Sequence, residues 1–195
     1  MAAVDTDRIR NCISDSSQTL AALAEKADKI GAACELVTGA LTAGGKVLTA
    51  GNGGSAAEAL HMAEELVGRF RENRRSLPGI CLVADSTALT CIGNDFGFDS
   101  VFSRQVEGLG EVGDLLVLFS TSGNAANLRK ALESAHAAGL KVLSILGKGG
   151  GKLAGLSDLE IVVDHSSTER IQEAHQLILH IVLDAVERAF PGKAD

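Results

Sequence analysis

The segment Ser120-Thr121-Ser122-Gly123-Asn124 gathers three hydroxyls, a glycine and an amide directly after an apolar run. Hydroxyl and backbone N–H donors in a tight turn suit a phosphate or another small anion. A second segment, Gly51-Asn52-Gly53-Gly54-Ser55, follows another apolar run and opens an alanine-rich stretch. Its glycines permit a sharp turn, and the free N–H groups at the start of the next helix would face a ligand. Either loop alone also reads as an ordinary helix cap. Two such loops, each leaving a strand of one sheet, point to a phosphate or sugar-phosphate site.

Candidates for proton transfer follow. His61 and Glu65 lie one helical turn apart on one face, where they could act together on a substrate or ligate a metal; a solvated pair is the commoner origin of such spacing. Late in the chain Gln172, Gln176 and His180 share one helical stripe, with Glu173 and His175 on neighbouring faces, and spacing does not choose between His175 and His180. Polar residues inside an apolar helix suggest a face toward a cleft or a subunit interface. Among Arg69, Arg71, Arg74 and Arg75, a solvated loop by default, Arg69 sits a turn beyond Glu65 and is best placed to meet a substrate. Gly93-Asn94-Asp95-Phe96-Gly97-Phe98 puts polar and turn residues after the second strand, at the ligand end of the sheet. His136 and His165 show no partner pattern and read as surface residues.

The elements that must position these groups are legible as alternating patterns. Ile9, Ile13, Leu20, Leu23, Ile30, Leu36, Val37 and Leu41 have helical spacing and predict one bent or two consecutive amphipathic helices, ended by Ala43-Gly44-Gly45. Five short apolar runs then alternate with helical stretches: Lys46–Ala50, Ile80–Ala84, Leu115–Phe119, Lys141–Leu146 and Leu159–Val163. Near-continuous apolar strands are expected where helices cover both faces of a parallel sheet. The fold class expected is therefore α/β, a doubly wound five-stranded parallel sheet with N-terminal helices, whose ligands sit at the carboxyl ends of the strands. A last helix is predicted over about 168–190, stopped by Pro191-Gly192. One domain is expected over 1–195, with a helical segment to about residue 44 and a sandwich from about residue 45.

Composition narrows the function. A net charge of −7 argues against nucleic acid as partner, and the absence of Trp and Tyr removes the usual stacking platforms. Cys12, Cys34, Cys81 and Cys91 form no C-x-x-C pair and read as reduced thiols, which suits the cytoplasm. No apolar run reaches the ~20 residues of a membrane span, and Met1–Asp5 lacks the basic start of an export signal. Gly51, Gly53 and Ala56 satisfy G-x-G-x-x-A, but the position where a ribose-binding acid should end strand two falls before that strand begins. No Gly-Lys-Ser/Thr follows either loop, which excludes a Walker A site.

Taken together, Gly51–Ser55, Glu65-Leu66-Val67-Gly68-Arg69, Gly93–Gly97, Ser120–Asn124 and Arg170-Ile171-Gln172-Glu173 closely resemble the sugar isomerase (SIS) family, specifically its phosphoheptose isomerase branch. The resemblance runs over nearly the whole chain. It implies a bacterial cytoplasmic aldose-ketose isomerase converting D-sedoheptulose 7-phosphate to D-glycero-D-manno-heptose 7-phosphate, early in the route to ADP-heptose and lipopolysaccharide core. It implies that Ser120, Thr121 and Ser122 hold the phosphate with Ser55 nearby. Asn52, Gly53, Gly54, Arg69, Asn94, Asp95, Glu169 and Gln172 would bind the rest of the substrate, and Glu65 and His180 would transfer protons. It also implies one Zn2+ per subunit on His61, Glu65, Gln172 and His180, and a homotetramer with active sites at subunit interfaces. Two departures stand out: Ala125 replaces a common serine after the phosphate loop, and Glu169 replaces an aspartate. The alternatives are a non-catalytic SIS-fold protein of the kind that binds a replication initiator, or an isomerase of another sugar phosphate.

Overall fold

Asp5 opens the first helix by accepting a hydrogen bond from Arg8 N at 3.1 Å, and α1 (Thr6–Ala22) passes through a 3-10 turn at Leu23–Lys26 into α2 (Ala27–Thr42). This is a computed structural model that describes residues 4–192, so Met1-Ala2-Ala3 of the segment expected to lack an export signal lies outside the described residues. The chain continues through β1 (Val47–Gly51), α3 (Gly54–Val67), β2 (Gly79–Cys81), α4 (Ser86–Phe96), α5 (Ser103–Leu109) and β3 (Leu115–Ser120). It ends with α6 (Ala126–Ala137), β4 (Lys141–Gly147), a 3-10 segment at Lys148–Leu153, β5 (Leu159–Val163) and α7 (Thr168–Ala189).

All five strands run parallel in the order β2-β1-β3-β4-β5. The chain leaves β1 for β2 on one side, then returns to place β3 on the other. That reversal opens a crevice between the carboxyl ends of β1 and β3, where open α/β sheets bind ligands. The two Gly- and Ser-rich loops leave these two strands.

Successive side chains of the buried strands go to opposite faces. Val47, Leu115, Val117, Phe119 and Ile145 enter one core with Val37 and Leu41 of α2, Met62 and Leu66 of α3, and Ile178 and Val182 of α7. Leu48, Leu116, Leu118, Val142 and Leu146 enter the other with Phe102, Val106 of α5 and Leu128 and Leu132 of α6. Thus α3 and α7 share one face of the sheet, and α6 lies on the other.

The second strand is shorter than its apolar run. Ile80–Ala84 was expected, but the ladder covers Gly79–Cys81 and the chain then turns, with Ala84 N bonded to Cys81 O at 3.1 Å. Asp85 causes the early exit: its Oδ1 accepts from both Thr87 N and Ala88 N at 2.9 Å, which starts α4 at once. The helix runs through Asn94 and Asp95, so these residues occupy its last turn rather than an open loop; the turn itself falls at Gly97, with φ of 83°.

At the opposite end of the sheet Asp114 is 4% exposed and ties two strands together. It accepts from Lys46 N and Glu111 N, each at 2.8 Å, and pairs with Lys46 Nζ at 2.6 Å. The hydrogen bond from the ammonium to Asp114 holds the Lys46 pKa above its usual value, against the opposing effect of burial. Asp114→Ala removes all three partners and is expected to lower stability by about 2–4 kcal/mol in urea unfolding. A loss below about 0.5 kcal/mol would show that this junction is dispensable.

Candidate functional site

Among the described α-helices two start with a side-chain cap and five without one. α1 and α4 have aspartate caps, whereas α3 begins at Gly53 and α6 at Ala125 with no side-chain cap. The first N–H groups of α3 and α6 are therefore free of a side-chain acceptor, and each carries the positive end of a helix dipole. The strands that deliver them are adjacent, with Gly51 of β1 in register with Phe119 of β3. The result is one anion-binding edge built from two helices.

An amide clasp joins the two loops. Asn52 Nδ2 donates to Asn127 Oδ1, and Asn127 Nδ2 donates to Asn52 Oδ1, both at 2.9 Å. Asn127 is 3% exposed and was not anticipated; a lone asparagine in the first turn of a helix has no distinguishing pattern in the sequence.

The serine loop is folded on itself. Ser120 is buried, and its hydroxyl accepts from Gly123 N at 3.0 Å; Ser122 Oγ accepts from Asn124 N at 3.3 Å. The 3-10 segment after β4 supports it from below, through Leu153 N to Gly123 O at 3.0 Å and Lys152 N to Asn124 Oδ1 at 3.2 Å. Gly123 has φ of +61°, and a Cβ there would lie 1.8 Å from Gly150 O, so only glycine fits. Thr121 and Ser122 stay half-buried at the edge of the loop. Ser55 is 3% exposed at the start of α3. Gln172 approaches the first loop so closely that a Cβ on Gly54 would meet its Nε2 at 2.0 Å.

Across the contact between α3 and α7 runs a chain of hydrogen bonds. His61 Nε2 lies 3.2 Å from Glu65 Oε1, and Gln176 Nε2 lies 2.7 Å from His61 Nδ1 and 3.0 Å from His180 Nε2. An amide nitrogen has two hydrogens to give, so donation to both rings leaves His61 Nδ1 and His180 Nε2 as acceptors. His61 then carries its proton on Nε2, facing Glu65. The two imidazoles meet edge to face with centroids 5.3 Å apart, and Phe70 lies 5.6 Å from His180. Burial, then the proximity of His61, push the His180 pKa below its ordinary value; Glu65 acts in the opposite direction.

The structure thus selects between the two histidines of α7: His180 reaches this cluster, while His175 is fully buried. It also gives Gln176 the bridging place. The shared stripe of Gln172, Gln176 and His180 was the available signal, but it did not say which amide would lie between the imidazoles.

Other predicted positions are dispersed. Arg69 is exposed, as is Glu169 at the start of α7. Asn94 and Asp95 are exposed on α4 and bonded to each other at 2.8 Å, with no hydrogen bond to α3, α6 or α7. Arg74 is no solvated loop residue: its guanidinium donates to Glu65 O at 2.5 Å and Leu66 O at 2.9 Å, satisfying carbonyls at the end of α3. His136 and His165, read as partnerless, face Asp158 at 3.1 Å and Asp15 at 3.3 Å. In the Arg-Ile-Gln-Glu motif, Arg170 and Glu173 pair and reach back to α1, through Arg170 Nη1 to Cys12 O at 2.9 Å and Ser16 Oγ to Glu173 Oε2 at 2.6 Å.

For a metal, the grouped donors are His61, Glu64 and Glu65, which offer ligand atoms within 4.8 Å of one another. Imidazole nitrogen and carboxylate oxygen are suitable zinc donors. His180 adds a second imidazole on the other side of Gln176. Among the described residues no helix is long and apolar enough to cross a membrane.

A parallel α/β sheet with two Gly- and Ser-rich loops at its switch point, beside a carboxylate-imidazole cluster, is a framework that could hold a sugar phosphate. Residues 13–147 match the SIS domain, and the chain belongs to that family. Within it, the similarity is to phosphoheptose isomerases. The enzyme of that name from Campylobacter concisus is 53% identical over 160 residues, covering 82% of this chain and 85% of its own. The one from Enterobacter sp. (strain 638) is 46% identical over 186 residues, covering 93% and 96%. The solved phosphoheptose isomerase of Francisella tularensis superposes with a TM-score of 0.91 at 34% identity, covering 95% of this chain and 100% of that one. That of Neisseria gonorrhoeae gives 0.85 at 40% identity, covering 94% and 98%.

The cluster has a pH signature. Because His180 has a lowered pKa in the folded chain, the unfolded chain binds the proton more readily, and the stability this group contributes is lost as pH falls through the window below 6.5. Imidazole NMR is expected to place the His180 midpoint below 6.5, and His61→Gln should raise it by removing a like charge. A His180 midpoint at or above 6.5 in the parent would contradict the reading of its surroundings.

Proposed function

We propose that this chain converts sedoheptulose 7-phosphate to D-glycero-D-manno-heptose 7-phosphate, with Glu65 and His180 as the proton-transfer pair. The observation that carries the proposal is the hydrogen-bonded series Glu65–His61–Gln176–His180, which joins α7 to α3, the helix that starts from one of the two Gly- and Ser-rich loops. Moving a carbonyl from C2 to C1 takes a proton from C1, passes through an enediol and returns a proton to C2, while a hydroxyl proton moves between O1 and O2. Glu65 takes the carbon-bound proton. His180, held neutral by burial, relays the hydroxyl proton.

In this reading Thr121, Ser122 and the N–H groups at the starts of α3 and α6 bind the phosphate, with Ser120 shaping the loop and Ser55 nearby. Gln172, Gly53, Gly54 and Asn52 face the sugar. Ala125 supplies no hydroxyl at the start of α6, so the phosphate depends on the remaining donors. One Zn2+ per subunit is proposed on His61, Glu65, Gln172 and His180, where it would polarise the sugar oxygens during charge development. Glu64, grouped with His61 and Glu65, is a further candidate ligand.

A homotetramer with shared active sites is part of the proposal. Leu60 and Val67 of α3 and Ile181 of α7 are 49%, 50% and 38% exposed on the helices that carry the cluster, and a second subunit would cover them. It would also give the exposed Arg69, Asn94, Asp95 and Glu169 a place against the sugar. A single domain over 1–195, cytoplasmic in a bacterium and feeding ADP-heptose and lipopolysaccharide core synthesis, fits this activity.

Glu65→Gln and His180→Gln are each expected to lower kcat on sedoheptulose 7-phosphate by roughly 10²–10⁴-fold with melting temperature preserved. Near-parental turnover in either folded variant would remove that residue from the mechanism. A parent protein that forms no aldose would point instead to a binding module.

A further inference from the structure

Beneath the proton-transfer cluster lies a second carboxylate-imidazole pair that the isomerisation does not use. Glu58 of α3 is 5% exposed and His175 of α7 is fully buried, with His175 Nδ1 and Glu58 Oε2 3.4 Å apart. Neither carboxylate oxygen nor either ring nitrogen has a hydrogen-bond partner among the described residues. Ala59 and Met62 on α3 and Ala174, Ile178 and Leu179 on α7 belong to the core between these helices and the sheet, and the ring centre of Phe119 of β3 lies 6.4 Å from that of His175.

Such a pair is a poor device for stability. Replacing a buried ion pair by apolar groups of similar volume is often neutral or stabilising, whereas leaving one member alone is costly. What a lone buried polar contact between two helices does well is fix register, because a slip separates the two groups without giving the carboxylate a cationic partner. Here a slip of one turn, about 5.4 Å, would set His175 against Met62 or Ser55 instead of Glu58. The same slip would carry Gln176 out of reach of His61. Glu58 precedes His61 by one turn of α3, and His175 precedes Gln176 directly on α7, so the pair and the cluster share both helices.

We infer that Glu58 and His175 are positioning residues: their contact sets α3 against α7 so that Glu65, His61, Gln176 and His180 stay aligned for proton transfer. They touch no substrate. The loop after β3 lies outside this seam and keeps its part of the phosphate site, so misalignment here acts more on turnover than on affinity. The inference rests on the isomerase reading for its kinetic consequence, and on the helix contact for its structural one.

The test compares Glu58→Met/His175→Met, which fills the space with adaptable apolar side chains, with Glu58→Gln, which keeps a polar contact to His175. The double variant is expected to melt at or above the parental temperature while kcat on sedoheptulose 7-phosphate falls about 10- to 100-fold, a larger factor than any change in KM. Glu58→Gln is expected to keep kcat within about 3-fold of the parent, as a hydrogen bond preserves the register. Imidazole nitrogen NMR of His61 and His180 reads their bonds to Gln176 without any turnover: these signals should move in the double variant and not in Glu58→Gln. Parental kcat with unmoved imidazole signals in the double variant would overturn the proposal. So would a lower melting temperature or loss of folding, which would make the pair merely structural, or a Glu58→Gln variant as impaired as the double one. Moved imidazole signals in a protein whose parent does not turn over the substrate would support the positioning role and count against the isomerase reading.

Discussion

The proposed chemistry of this molecule depends on two helices, α3 and α7, lying side by side on the same face of the sheet. They are far apart in the chain, and neither carries a complete reactive set. α3 supplies His61 and Glu65; α7 supplies Gln176 and His180, and the set closes only through the amide of Gln176. What brings them together is the core beneath them. Alternate residues of β1 and β3 turn toward this face and bury Met62 and Leu66 of one helix beside Ile178 and Val182 of the other. Packing of ordinary aliphatic side chains therefore sets the distance between a carboxylate and an imidazole, and polar contacts within the seam refine it.

The sheet divides its labour between its two ends. At the end away from the site, Asp114 satisfies two backbone donors and an ammonium, closing the junction of β1 and β3. At the carboxyl end, the helices that follow the same two strands start without side-chain caps. A cap is worth about 0.5–2 kcal/mol, so each such start forgoes local stability; in α3 Ser55 N and Ala56 N bond the carbonyls of Asn52 and Gly53, and the first N–H groups of α6 have no side-chain acceptor. The clasp between Asn52 and Asn127 holds the two open starts in register across the crevice. Gly54 completes the arrangement, since its missing Cβ is the space that Gln172 of α7 occupies.

Much of this was legible in the residues. Strands buried on both faces are continuous apolar runs, and Leu159–Val163 matched its run end to end. The serine and glycine loops were visible because hydroxyls and glycines after apolar runs are unusual, and parallel pairing then places both at one edge. The misses share a cause: a sequence shows which face a residue occupies and not what the neighbouring element presents there. Asp85 shortened the second strand and drew Asn94 and Asp95 into a helix. Gln176 and Gln172 share a stripe, yet one bridges the imidazoles and the other meets Gly54. Asn127 had no pattern of its own, since its meaning comes from Asn52. His175 and His180 were equivalent until the sheet assigned one to the core.

In the proposed reaction this seam moves protons between adjacent carbons of a bound sugar phosphate. The most direct test is proton NMR of sedoheptulose 7-phosphate incubated with the protein in D2O. Proton transfer through an enediol predicts an aldose product carrying solvent deuterium at C2. A folded protein that forms no aldose would contradict the account, as would deuterium entering C2 as fast with Glu65→Gln as with the parent.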